Sequence, residues 1–135
     1  MAPMMQLQGD ILLMLGRFEQ ASSIFETASE AAKDANLPVV YSEILGSQAD
    51  IAMKQGQTDK ALAAHKEALQ VQVDLGDAEG AARTYNNMGY LYRRKNDRGK
   101  ALEAYSEVEA IISNDESLLG VPKSFSDVHF WILGK

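Results

Sequence analysis

The fold is decided by the stretch YNNMGYLYRRKNDRGKALEAYSEV, at residues 85–108. In its first half, apolar residues recur at helical spacing up to Leu91 and Tyr92, which predicts one helix. Asn96 follows, a residue type that tolerates the left-handed backbone beyond a helix end. Apolar residues then return in steps of three and four through Tyr105. The stretch therefore predicts two helices joined by a short turn.

The same pattern occurs twice more upstream, at a spacing of 40 residues and without a gap. Six columns carry it: Gly9/Ala49/Gly89, Ile11/Ile51/Leu91, Gly16/Gly56/Asn96, Ala21/Ala61/Ala101, Phe25/His65/Tyr105 and Ala28/Ala68/Val108. A fixed internal period of this length indicates a helical repeat architecture.

The repeat sets the predicted organisation of the chain. We predict one domain over residues 1–135, with units at about 2–37, 38–76 and 77–116. Residues 122–134 return to a helical pattern and are predicted to form a terminal helix that covers the last unit.

Small residues alternate with large ones in a way that predicts close helix crossings. Gly9, Ala49 and Gly89 fall midway along the first helix of each unit. A small side chain on one helix admits a large one from another. We therefore expect Phe25 and Tyr105 to fill the space between successive units.

Turn and cap residues fall at the predicted helix ends. Gly16, Gly56 and Asn96 are expected to take the left-handed turns. Thr58, and Asn96 or Asp97, are candidate N-caps of the helices that follow.

These columns resemble the tetratricopeptide repeat (TPR) family. Unit three resembles it in Gly89, Leu91, Tyr92, Ala101 and Tyr105, and unit one in Gly9, Gly16, Phe18, Ala21, Phe25 and Ala28. Unit two departs from the pattern, because Thr58 and His65 replace aromatic residues. The 40-residue period is similar to the longer variant in cell-polarity adaptors, kinesin light chains and microbial signalling regulators. The resemblance implies an all-α solenoid of antiparallel helix pairs, with three TPR units plus a terminal helix.

Composition excludes several classes of function. The chain has 46% hydrophobic and 24% charged residues, a net charge of −6 and no cysteine. The negative charge argues against nucleic acid as a partner, and the lack of cysteine excludes disulfides and thiolate metal sites. The most apolar run, residues 11–15, is too short for a membrane span. Asp10 precedes it and no basic residue does, so it lacks the charged start of a signal peptide. We expect a cytoplasmic protein without a membrane segment.

No catalytic or metal-binding motif is present, so we predict that the protein is not an enzyme and needs no cofactor or metal. His65 and His129 are too far apart in sequence to form a metal-binding motif. Asp10 and Asp50 fall at equivalent positions and could in principle do acid–base work, but solvated surface residues are the simpler interpretation. The basic run that includes Arg93 and Arg94 could bind phosphate or RNA, although few aromatic residues accompany it.

In the TPR family the concave surface, lined by first helices, is the usual peptide-binding site. The register gives these groove residues: Asp10, Glu43, Ser47, Asp50, Arg83, Asn86, Asn87, Tyr90, Arg93 and Arg94. The groove is expected to be acidic at one end and basic at the other. Asn87 can offer both a donor and an acceptor to a peptide backbone.

One family activity is argued against by the residues present. Some TPR co-chaperones hold the C-terminal carboxylates of heat-shock chaperones with two lysines, two asparagines and an arginine. The equivalent residues here are Gln6, Asp10, Ser47, Arg83 and Asn87. Asp10 would repel a carboxylate, so we expect no carboxylate clamp.

Two functions remain open. The first is a scaffold that binds a peptide or helix of a protein partner in the groove. The alternative is a self-assembly module, or a fragment of a longer TPR regulatory protein, in which apolar ends pair with another copy. The residues expected to mediate self-association are Met4, Met5, Leu7, Phe130 and Trp131.

Overall fold

A computed structural model describes residues 2–113, and these form six helices with no strand among them. In chain order the helices are α1 (Ala2–Met14), α2 (Phe18–Asp34), α3 (Pro38–Lys54), α4 (Thr58–Leu75), α5 (Ala78–Arg94) and α6 (Arg98–Ser113). The predicted all-α class of antiparallel helix pairs is confirmed. The predicted terminal helix at residues 122–134 lies outside the described residues.

The links between helices are short because one left-handed residue reverses the chain in each. The φ angles of Gly16, Gly56 and Asn96 are 76°, 75° and 64°, as their column predicted. Asn36 and Gly76 do the same in the other two links, with φ of 55° and 72°. These residues allow the last carbonyls of each helix to accept backbone hydrogen bonds, as in a Schellman motif.

One predicted N-cap is confirmed and one is wrong. The Asp97 side chain accepts a hydrogen bond from the Lys100 backbone N–H at 3.2 Å, which caps α6. Thr58 is itself the first residue of α4 and therefore does not occupy the capping position. Asp77 caps α5 by accepting from the Gly80 N–H at 2.9 Å, a cap that the repeat columns did not indicate.

The chain divides into two compact units, with the boundary between Val71 and Gln72 inside α4. In the first unit, Phe25 is fully buried, and a Cβ added at Gly9 would lie 2.6 Å from its ring. In the second, a Cβ at Gly89 would lie 2.7 Å from the Tyr105 ring. The expected small-to-large packing is therefore present within each of these helix pairs. Phe25 also belongs to a buried cluster that includes Ile44 of α3, as expected for a ring between successive units.

Candidate functional site

A row of polar side chains joins α1 to α3 in the first unit. The Gln6 Nε2 donates to Glu43 Oε2 at 2.8 Å, and the Ser47 hydroxyl donates to Asp10 Oδ1 at 3.3 Å. We call Gln6, Asp10, Glu43, Ser47 and Asp50 the α1–α3 row. The structure thus brings together the four groove residues that the sequence assigned to the first two units, and Gln6 lies beside them.

Asp50 shows that this row is an acidic surface. Partial burial raises the pKa of the Asp50 carboxyl above its usual value of 3.8. The nearby Lys54 ammonium lowers that pKa, and the Asp10 carboxylate raises it further. Because two carboxylates lie near each other, a cationic group of a ligand would be favoured at this row.

The second unit exposes one continuous face of α5. Its residues recur at steps of three and four, and all are exposed: Arg83, Asn86, Asn87, Tyr90, Arg93 and Arg94. We call this set the α5 face. It contains all the groove residues that the sequence assigned to the third unit, and none of them is needed for the core.

An aromatic ring stands among the cations of the α5 face. The guanidinium carbons of Arg93 and Arg94 lie 5.9 and 5.8 Å from the centre of the Tyr90 ring, within the range of a cation–π contact. Both arginines belong to the last turn of α5, where the helix dipole favours positive charge. Tyr90 is nonetheless 41% exposed, so its ring can also contact a partner.

The first helix carries an exposed apolar stripe. Met4, Leu7, Ile11 and Met14 follow one another at helical spacing and are 49–86% exposed. We call these four residues the α1 stripe. It includes two of the residues predicted for self-association, whereas Met5 packs partly buried against the core. The other two predicted residues, Phe130 and Trp131, lie outside the described residues.

Sequence reasoning missed two hydrogen bonds between tyrosine and glutamate. The Tyr41 hydroxyl donates to the Glu67 carboxylate, and the Tyr85 hydroxyl bonds to the Glu107 carboxylate. Burial and the bond to Glu67 raise the pKa of Tyr41 to about 12. Burial, followed by the bond to Glu107, also raises the pKa of Tyr85. Glu67 and Glu107 are one period apart, and that column is the signal that could have found them.

Comparison with known proteins identifies the repeat. A tetratricopeptide repeat family model matches residues 41–113, and a second tetratricopeptide repeat model matches residues 2–34. The first match alone spans more than half of the chain. The chain belongs to the tetratricopeptide repeat family. The predicted resemblance is therefore confirmed.

A solved structure supports the same TPR fold. The crystal structure of the TPR domain of Arabidopsis FLU is similar, with a TM-score of 0.77 and 20% sequence identity. The likeness covers 84% of this chain and 96% of that one. At this identity it shows the fold alone. No curated protein matches the sequence.

Within residues 2–113, no helix is long and apolar enough to cross a membrane. In the same range, no three side chains of the metal-ligating types gather in one place.

Proposed function

We propose that this TPR protein is a cytoplasmic interaction scaffold that binds a peptide or helix of a partner protein through the exposed faces of its first helices. TPR repeats generally mediate protein–protein interaction, and TPR proteins are typically non-enzymatic scaffolds. The mechanism is recognition by preformed helical surfaces, without a reaction. This proposal keeps the residues that the sequence assigned to the groove.

The observation that carries the proposal is the α5 face. Asn87 and Tyr90 are exposed there one turn apart on a rigid helix. An asparagine amide can donate to and accept from a peptide backbone, and a half-exposed tyrosine ring supplies apolar contact. These two residues are the proposed anchors.

The charged residues have a different role in the proposal. The α1–α3 row is acidic, whereas the α5 face carries three arginines. Each exposed ion pair contributes only about 0–1 kcal/mol, so charge alone does not give tight binding. Charges at an interface mainly set orientation and association rate. The α5 face therefore favours an acidic partner segment, and the α1–α3 row a basic one.

The first step of the test identifies a partner by affinity capture and mass spectrometry. Binding kinetics of the purified partner are then measured for two variants. Asn87→Ala should mainly speed dissociation, because it removes backbone hydrogen bonds. The double variant R93E/R94E should mainly slow association and reverse or flatten its dependence on salt.

Glu109→Ala serves as the matched control, since Glu109 is an exposed residue of α6 in the same helix pair. Its rates should equal those of the unmodified protein. Loss of binding in the control, together with unchanged rates in Asn87→Ala and R93E/R94E, would refute the proposal.

A second function, self-association, is favoured by the α1 stripe. Four exposed apolar side chains at helical spacing form a surface that a second copy could cover. We propose that L7S/I11S lowers the mass seen by sedimentation at high protein concentration. Leu102→Ser is the control, because Leu102 is 66% exposed on α6. A monomer at every concentration before mutation would exclude this second function.

A further inference from the structure

The α5–α6 pair contains a cleft that shares no residue with the α5 face. Its volume is about 200 Å³, and it lies between Tyr85, Met88 and Tyr92 of α5 and Lys100, Glu103 and Glu107 of α6. A cleft of about 260 Å³ in the first unit is lined by Leu45, Gln48, Ala52, Lys60, Ala63 and Glu67, each one 40-residue period earlier. A cavity that recurs in register is a feature of the repeat rather than a local packing fault.

Each cleft has the same excess of negative charge. The α5–α6 cleft has one ammonium, from Lys100, and two carboxylates, from Glu103 and Glu107. The earlier cleft has Lys60, Glu67 and a second carboxylate from Glu26 on α2. The second carboxylate belongs to Glu103 in one cleft and to Glu26 in the other, yet the net charge of both clefts is −1. A single positive charge on a ligand would balance either cleft.

One carboxylate oxygen of the α5–α6 cleft lacks a donor. Tyr85 bonds to the Glu107 carboxylate, yet Glu107 Oε2 is buried and has no hydrogen-bond partner among the described residues. A buried acceptor without a donor is costly, and more so when it is charged. A ligand that brought an N–H donor to this oxygen would remove that cost.

The walls of the α5–α6 cleft suit a flat cation. Tyr85 and Tyr92 supply aromatic rings, which attract cations, and Met88 supplies a thioether, which packs against apolar groups and rings. Lys100 Nζ already lies 5.8 Å from the centre of the Tyr92 ring, so a cation is accommodated at that ring. The earlier cleft has Leu45 and Ala52 in place of the two tyrosines and lacks this feature.

We propose that the α5–α6 cleft binds an arginine side chain of a protein partner. A guanidinium is planar, stacks on aromatic rings and offers five N–H donors in a fixed fork. It would donate to Glu107 Oε2, lie against the tyrosine rings and neutralise the excess carboxylate. This site is separate from the α5 face. Capped arginine can serve as the probe, so the test needs no known partner.

The test titrates the full chain with arginine capped at both ends as the N-acetyl amide, and follows the methionine methyl groups by NMR. Met88 lines the cleft, whereas Met4 and Met14 on α1 serve as internal references. The Met88 signal should shift with saturation in the millimolar range. The matched probe is capped citrulline, which has the same shape without the charge, and it should leave Met88 unmoved.

Two variants link the shift to the cleft. Glu107→Gln should weaken arginine binding about tenfold, because it removes a charge-assisted hydrogen bond. Lys100→Gln should tighten binding by about twofold to fivefold, because it removes a competing cation. Glu109→Gln, an exposed α6 residue outside the cleft, should leave the affinity unchanged.

The outcomes that overturn the proposal are equally specific. An unmoved Met88 signal at every attainable arginine concentration would overturn it, and so would equal binding of arginine and citrulline. If Glu107→Gln does not fold, Lys100→Gln decides the matter, since weaker binding in that variant contradicts the proposal. None of these results bears on Asn87 and Tyr90, so the proposed function stands or falls separately.

Discussion

The helices α1 and α5 carry the same repeat columns and bury them differently. Each has a glycine against an aromatic ring of its own pair. Yet Leu91 is 1% exposed in α5, while Ile11, two periods earlier, is 49% exposed in α1. Met4 is 63% exposed, whereas its equivalent Thr84 is buried. The glycine-to-ring packing within a pair is thus common to both helices, but the burial of the Ile11/Leu91 column is not.

Thr84 shows what covers that side in α5. Its hydroxyl donates to Gln72 Oε1 of α4 at 2.8 Å, and both residues are buried. In α1 the equivalents of Thr84 and Leu91 are Met4 and Ile11, which are exposed members of the α1 stripe. The comparison therefore explains why an apolar column is core in one repeat and a candidate contact surface in another.

The largest expected effect is on the free energy of unfolding, and it distinguishes the buried Leu91 from the exposed Ile11. Leu91→Ala should lower the free energy of unfolding by about 2–5 kcal/mol, because it leaves a cavity in the core. Ile11→Ala, in the same column, should cost under about 1 kcal/mol, because its side chain is half exposed. Chemical denaturation measures both. Equal losses of stability would mean that the Leu91 and Ile11 side chains are buried alike.

The next effect tests the close glycine-to-ring packing that the α1–α2 and α5–α6 pairs share. Gly9→Ala and Gly89→Ala should each destabilise by about 1–3 kcal/mol, since the new Cβ would overlap a buried ring. Gly46→Ala is the control, because a Cβ there meets nothing within 4 Å. It should stabilise by about 0.5–1 kcal/mol through helix propensity. A neutral result at both Gly9 and Gly89 would contradict the close crossing.

The parts of the fold that sequence could predict are those set within one repeat. The turns at Gly16, Gly56 and Asn96, and the small residues opposite large ones, each depend on local spacing that recurs in the chain. The TPR resemblance followed from those same columns. These features needed no knowledge of which repeats are neighbours.

The features that sequence missed depend on contacts between different columns. Exposure of Ile11 could not be read from a column whose other members, Ile51 and Leu91, are both buried. The bonds of Tyr41 to Glu67 and of Tyr85 to Glu107 use one glutamate column but tyrosines at different positions of the repeat. A column alignment shows the recurring glutamate but not the tyrosine that bonds to it. The groove residues remain a prediction that binding experiments must test.

A third, smaller effect comes from the second repeat, where His65 replaces the ring of Phe25 and Tyr105. His65 is 4% exposed, and burial lowers its pKa below the usual 6.5. The unfolded chain therefore takes up a proton at a higher pH than the folded chain. Stability is full above about pH 6.5 and is lost as the pH falls toward the lowered pKa.

Replacing this imidazole should remove that loss. We expect A49G/H65F, which restores the glycine and ring of the other two pairs, to lose less stability than the unmodified protein on acidification. Thermal unfolding across the acidic range measures the difference. Ala49→Gly alone is the control and should keep the full pH dependence. The same acid sensitivity in A49G/H65F would show that another group titrates.

The smallest effect concerns Asp50 of the α1–α3 row. Because the pKa of Asp50 is raised above 3.8 when folded, the folded chain holds its proton to a higher pH than the unfolded chain. Its contribution to stability is therefore full below about pH 3.8 and is lost as the pH rises through the raised pKa.

Asp50→Asn should then raise the melting temperature slightly near neutral pH, with the gain vanishing in acid. The gain should be smaller in an Asp10→Asn background, because the Asp10 charge is one cause of the shift. A gain of the same size at every pH, or one unaffected by Asp10→Asn, would show that the two carboxylates do not interact.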